Sequence, residues 1–170
     1  MKEKMLEKEK KETNVIKEII PYIVIIIVVV IVRTYFVTPV MVDGDSMNPT
    51  LKNNNILLLN KRSTIDRYDI VVIKTVANET LIKRVMALPG ETIYCVNQKI
   101  FINGEEIPDK TDLATNDFEE VTLKDDEYFV MGDNRGDSKD SRIIGPVKKE
   151  EIKGQVVFRF WPFNKIGTLN

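Results

Sequence analysis

The sequence predicts a mainly β domain behind a single N-terminal apolar helix. Seven short apolar runs carry the first part of that reading: residues 56–59, 70–74, 80–85, 92–96, 99–102, 128–131 and 155–160. Helical periodicity between them is weak, and polar turn residues separate them. One uncharged run of 14 residues, 19–32, precedes them all.

The N-terminal run comes first. As a helix, 14 residues reach about 21 Å, short of the ~30 Å hydrocarbon core. Arg33 can snorkel, and Tyr35 and Phe36 suit an interface, so the expected span is residues 19–37. The run is almost all β-branched, but it is too long for an ordinary strand. No small-x-small cleavage site follows Val32, so a removed leader is disfavoured. Residues 1–18 hold six lysines, against Arg33 alone just after the run. That bias places residues 1–18 in the cytoplasm and residues 38–170 outside, with the chain crossing the cell membrane once.

The strands of the outer part are bounded by Asn53-Asn54-Asn55, Pro89-Gly90, Asn103-Gly104 and Gly132-Asp133-Asn134. Asn103-Gly104, directly after Lys-Ile-Phe-Ile, is a two-residue hairpin signal. Residues 109–120 are polar and acidic and read as a surface loop. The aromatic run 160–163 reads as core, with a membrane interface as the alternative.

Length and composition set bounds. The 170 residues suffice for one domain plus an anchor. Apolar residues at 43% and charged residues at 30% support a packed core and exclude wholesale disorder. A net charge of −1 argues against a nucleic-acid partner. Cys95 is the sole cysteine, which excludes an intrachain disulfide and suits a small core side chain.

The chain has no histidine. A serine nucleophile here needs another base, and lysine serves only when its surroundings keep it neutral. Ser46 lies in Gly-Asp-Ser-Met-Asn-Pro-Thr-Leu, a constrained turn. Those residues equally suit a plain surface turn. Lys83 lies in an apolar run, where alternation puts Leu81, Lys83 and Val85 on one face and Ile82 and Arg84 on the other. If its face packs inward, burial lowers the lysine pKa, with Arg84 as a helping positive charge. If it faces water, Lys83 is an edge-strand lysine that guards against aggregation. Lys74 competes for the same base role.

The third element is Gly132 to Arg142, Gly-Asp-Asn-Arg-Gly-Asp-Ser-Lys-Asp-Ser-Arg. Its carboxylates can bind a cation, but position twelve counted from Asp133 is Ile144, so no Ca²⁺ loop of the usual spacing forms. A solvated loop and a salt-bridged scaffold are the other readings.

Taken in order behind one apolar run, these elements resemble the bacterial type I signal peptidases, in their shorter Gram-positive form. The likeness covers about residues 15–165. It implies a β-rich catalytic domain of the signal-peptidase and repressor-peptidase type, with a short inserted β region at about 91–127. It also implies a membrane-bound serine endopeptidase that cuts signal peptides from secretory preproteins after small residues. Ser46 matches the nucleophile and Lys83 the general base. Ser138 matches the serine that orients the amine. Arg84 with Asp133, and Asp140 with Arg142, match bracing charge pairs, and Met47 and Pro49 the fixed residues of the nucleophile turn. Val42 and Ile82 fall where the family lines its small substrate pockets. The resemblance implies no cofactor and no metal, preprotein and membrane lipid as partners, and a monomer. Gly44 departs from members with a serine there, whose hydroxyl donates to the oxyanion hole. Two rivals share these features: a self-cleaving repressor-type peptidase, and a membrane-anchored β module without catalysis.

Overall fold

A computed structural model describes residues 2–35 and 37–169. The side chains of residues 2–16 and 35 are outside that description, so the expected interfacial placement of Tyr35 and Phe36 lies outside the described residues. The chain divides into two compact units, Met1–Val37 and Thr38–Asn170.

The first unit is helix α1, Lys2–Tyr35. It begins well before the apolar run, because Lys and Glu are good helix formers. It also stops before Val37, which corrects the expected span: Val37 opens a strand. Val37 and Thr38 are β-branched, and Thr38 precedes Pro39, a position that disfavours helical backbone. Among the described residues no helix is long and apolar enough to cross a membrane. Every large apolar side chain in residues 19–32 is nevertheless exposed, between 42% and 68%.

The second unit holds two antiparallel sheets. The larger is built from β1 (Val37–Met41), β2 (Ile56–Asn60), β3 (Ile70–Lys74) and β4 (Thr80–Ala87). The others are β9 (Glu127–Met131), β10 (Val147–Lys148), β11 (Ile152–Trp161) and β12 (Gly167–Thr168). Their order is β1-β2-β11-β3-β4-β9-β10, with β12 paired to β11. The smaller sheet, in order β7-β6-β5-β8, uses β5 (Thr92–Val96), β6 (Lys99–Ile102), β7 (Glu105–Ile107) and β8 (Phe118–Thr122). A short helix α2, Ser141–Ile144, is capped by the Asp140 side chain.

Strands β3 and β9 are buried along most of their length, which is why they read as unbroken apolar runs. Asn103 and Gly104 form the β6–β7 hairpin turn, with φ of 51° and 84°. β8 corrects the loop expected over 109–120. Cys95 pairs with Phe118 and Ile93 with Val121, so β8 carries one extra residue and both Glu119 and Glu120 face water. That bulge breaks the period-2 pattern. Cys95 is buried in the core between the two sheets' apolar faces, with Phe129 and Ile100 in the same cluster. The aromatic run at the end of β11 corrects the core reading: Phe160 is 55% exposed and Phe163 65%.

Candidate active site

The turn that holds Ser46 follows β1. Gly44 takes φ +94°, a left-handed conformation that suits glycine. Asn48 N–H donates to the Asp45 carbonyl and Leu51 N–H to that of Met47, each at 2.9 Å. Met47 and Leu51 are fully buried in the cluster that also holds Val42, Leu57 and Ile70. The apolar side chains thus pin the turn into the core and leave Ser46 at its half-buried surface.

Strand β4 brings Lys83 to that turn. Lys83 is 1% exposed, and its Nζ stands 2.5 Å from Ser46 Oγ. Lys83 pairs across the sheet with Val71, itself fully buried. Burial is the main reason that the amine's pKa falls from 10.5 to about 8; Asp140 opposes the shift and Arg142 assists it. The assisting cation is therefore Arg142, not Arg84 as the sequence suggested. Arg84 is held by Asp133 in a bidentate pair, Nε to Oδ1 at 2.8 Å and Nη2 to Oδ2 at 2.7 Å. The competing Lys74 ends β3 exposed to water.

The loop 132–142 packs over both residues. Gly132 N–H donates to Asp140 Oδ2 at 2.9 Å, and Arg142 grips both Asp140 oxygens at 2.8 and 2.9 Å. Burial pushes the Asp140 carboxyl up, but Arg142 and the Gly132 N–H outweigh it and hold the group below its ordinary value. Asn134 N–H donates to the Ser46 carbonyl at 3.0 Å. A Cβ on Gly132 would overlap the Ser46 carbonyl and the Ser138 side chain, so only glycine allows this approach. Among the described residues, buried Ser138 Oγ has no partner within hydrogen-bond geometry. The expected bond to the Lys83 amine is not formed, although the hydroxyl lies close enough to favour the Asp140 charge.

Two residues of this scaffold escaped the sequence reading. Arg135 is 2% exposed; it donates to both Asp109 oxygens at 2.5 and 2.6 Å and to the Gly132 carbonyl at 3.0 Å. Asp109 lies between β7 and β8, so this clasp joins the small sheet to the loop 132–142. Its only signal was a charged residue in a loop already rich in charge.

Beside Ser46 and Lys83 is a cleft of about 200 Å³ between residues 40–44 and 80–83. Val42 and Ile82 both line it. A larger cavity of about 360 Å³, lined by Glu79, Lys139 and Glu151 among others, contains neither Ser46 nor Lys83. Among the described residues no group of three His, Cys, Asp or Glu side chains is placed to hold a metal ion.

Comparison with known proteins decides the kinship. Residues 13–161 match the family described as signal peptidase, peptidase S26. The chain belongs to that family. Signal peptidase I S of Bacillus subtilis (strain 168) is 37% identical over 158 residues, covering 82% of this chain and 85% of that protein. A signal peptidase I of Bacillus caldolyticus is 39% identical over 165 residues, covering 85% and 91%. One from Streptococcus pneumoniae is 32% identical over 198 residues, covering 91% and 97%. A crystal structure of a signal peptidase I from Enterococcus faecalis V583 superposes with a TM-score of 0.51 at 28% identity, over 56% of this chain and 98% of that one. The resemblance read from Ser46, Lys83 and the loop 132–142 is the family these matches name, and the chain is a serine endopeptidase of the S26 type.

Proposed function

We propose that this enzyme is a type I signal peptidase that cleaves secretory preproteins after small residues. The carrying observation is the 2.5 Å approach of a buried Lys83 amine to Ser46 Oγ. Neutral Lys83 takes the Ser46 hydroxyl proton, and the alkoxide attacks the carbonyl before the cut. The charged amine then protonates the leaving nitrogen, which leaves an acyl-enzyme on Ser46. Lys83, neutral again, draws a proton from water; the resulting hydroxide attacks the acyl carbonyl, the bond to Ser46 Oγ breaks, and the charged amine returns its proton to that oxygen. Val42 and Ile82 form the apolar walls that favour a small side chain in the 200 Å³ cleft. Arg84–Asp133 and Asp140–Arg142 brace the loop that carries Ser138. In this reading Ser138 turns to accept from the amine once substrate is bound.

The Ser46 N–H supplies one oxyanion donor. At Gly44, apart from its own chain neighbours, no atom of the described residues lies within 4 Å of the place a Cβ would take. That space admits a water molecule, which supplies the second donor in place of a serine hydroxyl.

The same reading makes α1 a membrane anchor and the catalytic domain extracytoplasmic. The apolar side chains of residues 19–32, 42% to 68% exposed among the described residues, are suited to lipid. Arg33 snorkelling at one end lengthens the 14-residue run toward bilayer thickness. Phe160, Trp161 (41% exposed), Phe163 and Ile166 add an apolar surface suited to the bilayer interface. Retention of the chain in alkali-washed membranes tests the anchor; release into the wash contradicts it.

Ser46→Ala and Lys83→Ala test the chemistry. Each leaves a folded protein and abolishes preprotein cleavage. Substantial activity in folded Lys83→Ala removes lysine from the base role.

A further inference from the structure

We propose that Arg159 is a positioning residue that fixes the nucleophile turn and the Val42 wall of the cleft in one register. The proposal rests on the signal-peptidase reading and deepens it. Arg159 lies in β11, paired with Leu57 of β2 and Gly167 of β12. Its Nη1 donates to the Thr50 carbonyl at 3.0 Å and reaches Asn55 Oδ1 at 3.5 Å. Thr50 stands four residues after Ser46, inside the turn closed by the Leu51-to-Met47 hydrogen bond. Asn55 holds the Val42 wall of the cleft. Its carbonyl accepts from Val42 N–H, and the Val42 carbonyl accepts from Asn54 N–H, both at 2.9 Å. Its side-chain oxygen also accepts from Lys52 N–H at 3.3 Å.

One guanidinium therefore joins the end of the Ser46 turn to the turn that holds Val42. Among the described residues, buried Arg159 Nε has no hydrogen-bond partner. An unpaired buried donor costs stability. If filling space were the task, an apolar side chain would do it better here. A long cationic side chain whose Nη1 is shared between the two turns explains an arginine instead: the attacking oxygen and the pocket wall must keep their spacing within a fraction of an ångström for attack.

The test uses the full chain in lipid vesicles, with preproteins carrying alanine or valine before the cut. Arg159→Ala is expected to lower kcat about 10–100-fold, the cost of a small misplacement, and to relax the preference for alanine. Arg159→Lys, a shorter side chain that still offers a nitrogen donor, is expected to recover part of kcat. Melting curves report the folded fraction, and Arg159→Met, which keeps most of the stem, serves if the alanine variant does not fold. Cleavage by the wild type and none by Ser46→Ala establishes the signal-peptidase reading separately. Given that, wild-type kcat and alanine preference in the folded alanine or methionine variant overturn the positioning role alone.

Discussion

The Lys83 amine and the Ser46 hydroxyl meet at 2.5 Å although 37 residues separate them in sequence. The meeting joins an apolar-anchored turn to a buried strand, and everything around it keeps a lysine where water is scarce. That arrangement has a measurable cost. A lysine whose folded pKa is about 8 against 10.5 binds its proton less readily in the folded state. Stability therefore falls as pH drops from about 10.5 to about 8, and the full penalty stands below that. At about 1.4 kcal/mol per unit, it amounts to roughly 3 kcal/mol at neutral pH. Lys83→Met should thus be inactive yet more stable at pH 7, with the gain fading above pH 10. Urea unfolding across that range checks it; a methionine variant less stable than wild type at pH 7 contradicts it.

Asp133 carries the opposite expectation. Both partners of its pair with Arg84 are buried, at 0% and 7% side-chain exposure. Asp133→Ala leaves an uncompensated guanidinium and should cost about 3–5 kcal/mol in chemical unfolding. A loss under 1 kcal/mol would mean that water reaches Arg84.

Gly132→Ala should act on geometry rather than charge. The added methyl would overlap the Ser46 carbonyl and Ser138. Relief by a small shift costs about 1–3 kcal/mol, of the order of a 10–100-fold loss of kcat. Unchanged kcat would show that the loop yields freely.

The Asp109–Arg135 clasp predicts remote control. Asp109→Asn keeps the size of the side chain but removes the charge facing Arg135, which is wholly buried. The Gly132 carbonyl that Arg135 also holds should loosen. Reduced kcat with little change in KM is the expected kinetic outcome, and a wild-type kcat would uncouple the small sheet from the site.

Much of this was legible in the chain. Strands 70–74 and 99–102 carry their pattern openly, and Asn103-Gly104 marks its own turn. Other elements were hidden for local reasons. The β8 bulge puts Glu119 and Glu120 on the same side and masks the alternation of Phe118 and Val121. Gly154 interrupts β11 at a register shift, where a Cβ would strike the Asn60 backbone, so the strand read as starting at 155 rather than Ile152. In the site, the motif residues stood out because unlike types cluster there. Arg135, Asp109 and Arg159 did not, because the contacts that tie them to other elements lie 20 to more than 100 positions away.

The pH dependence of preprotein cleavage tests the Ser46–Lys83 pairing most directly. As the proposed base, Lys83 must be neutral to accept the serine proton, so kcat/KM should rise with pH and reach half its limit near the amine's pKa of about 8. A profile that is flat from pH 5 to 9 would contradict a lysine base.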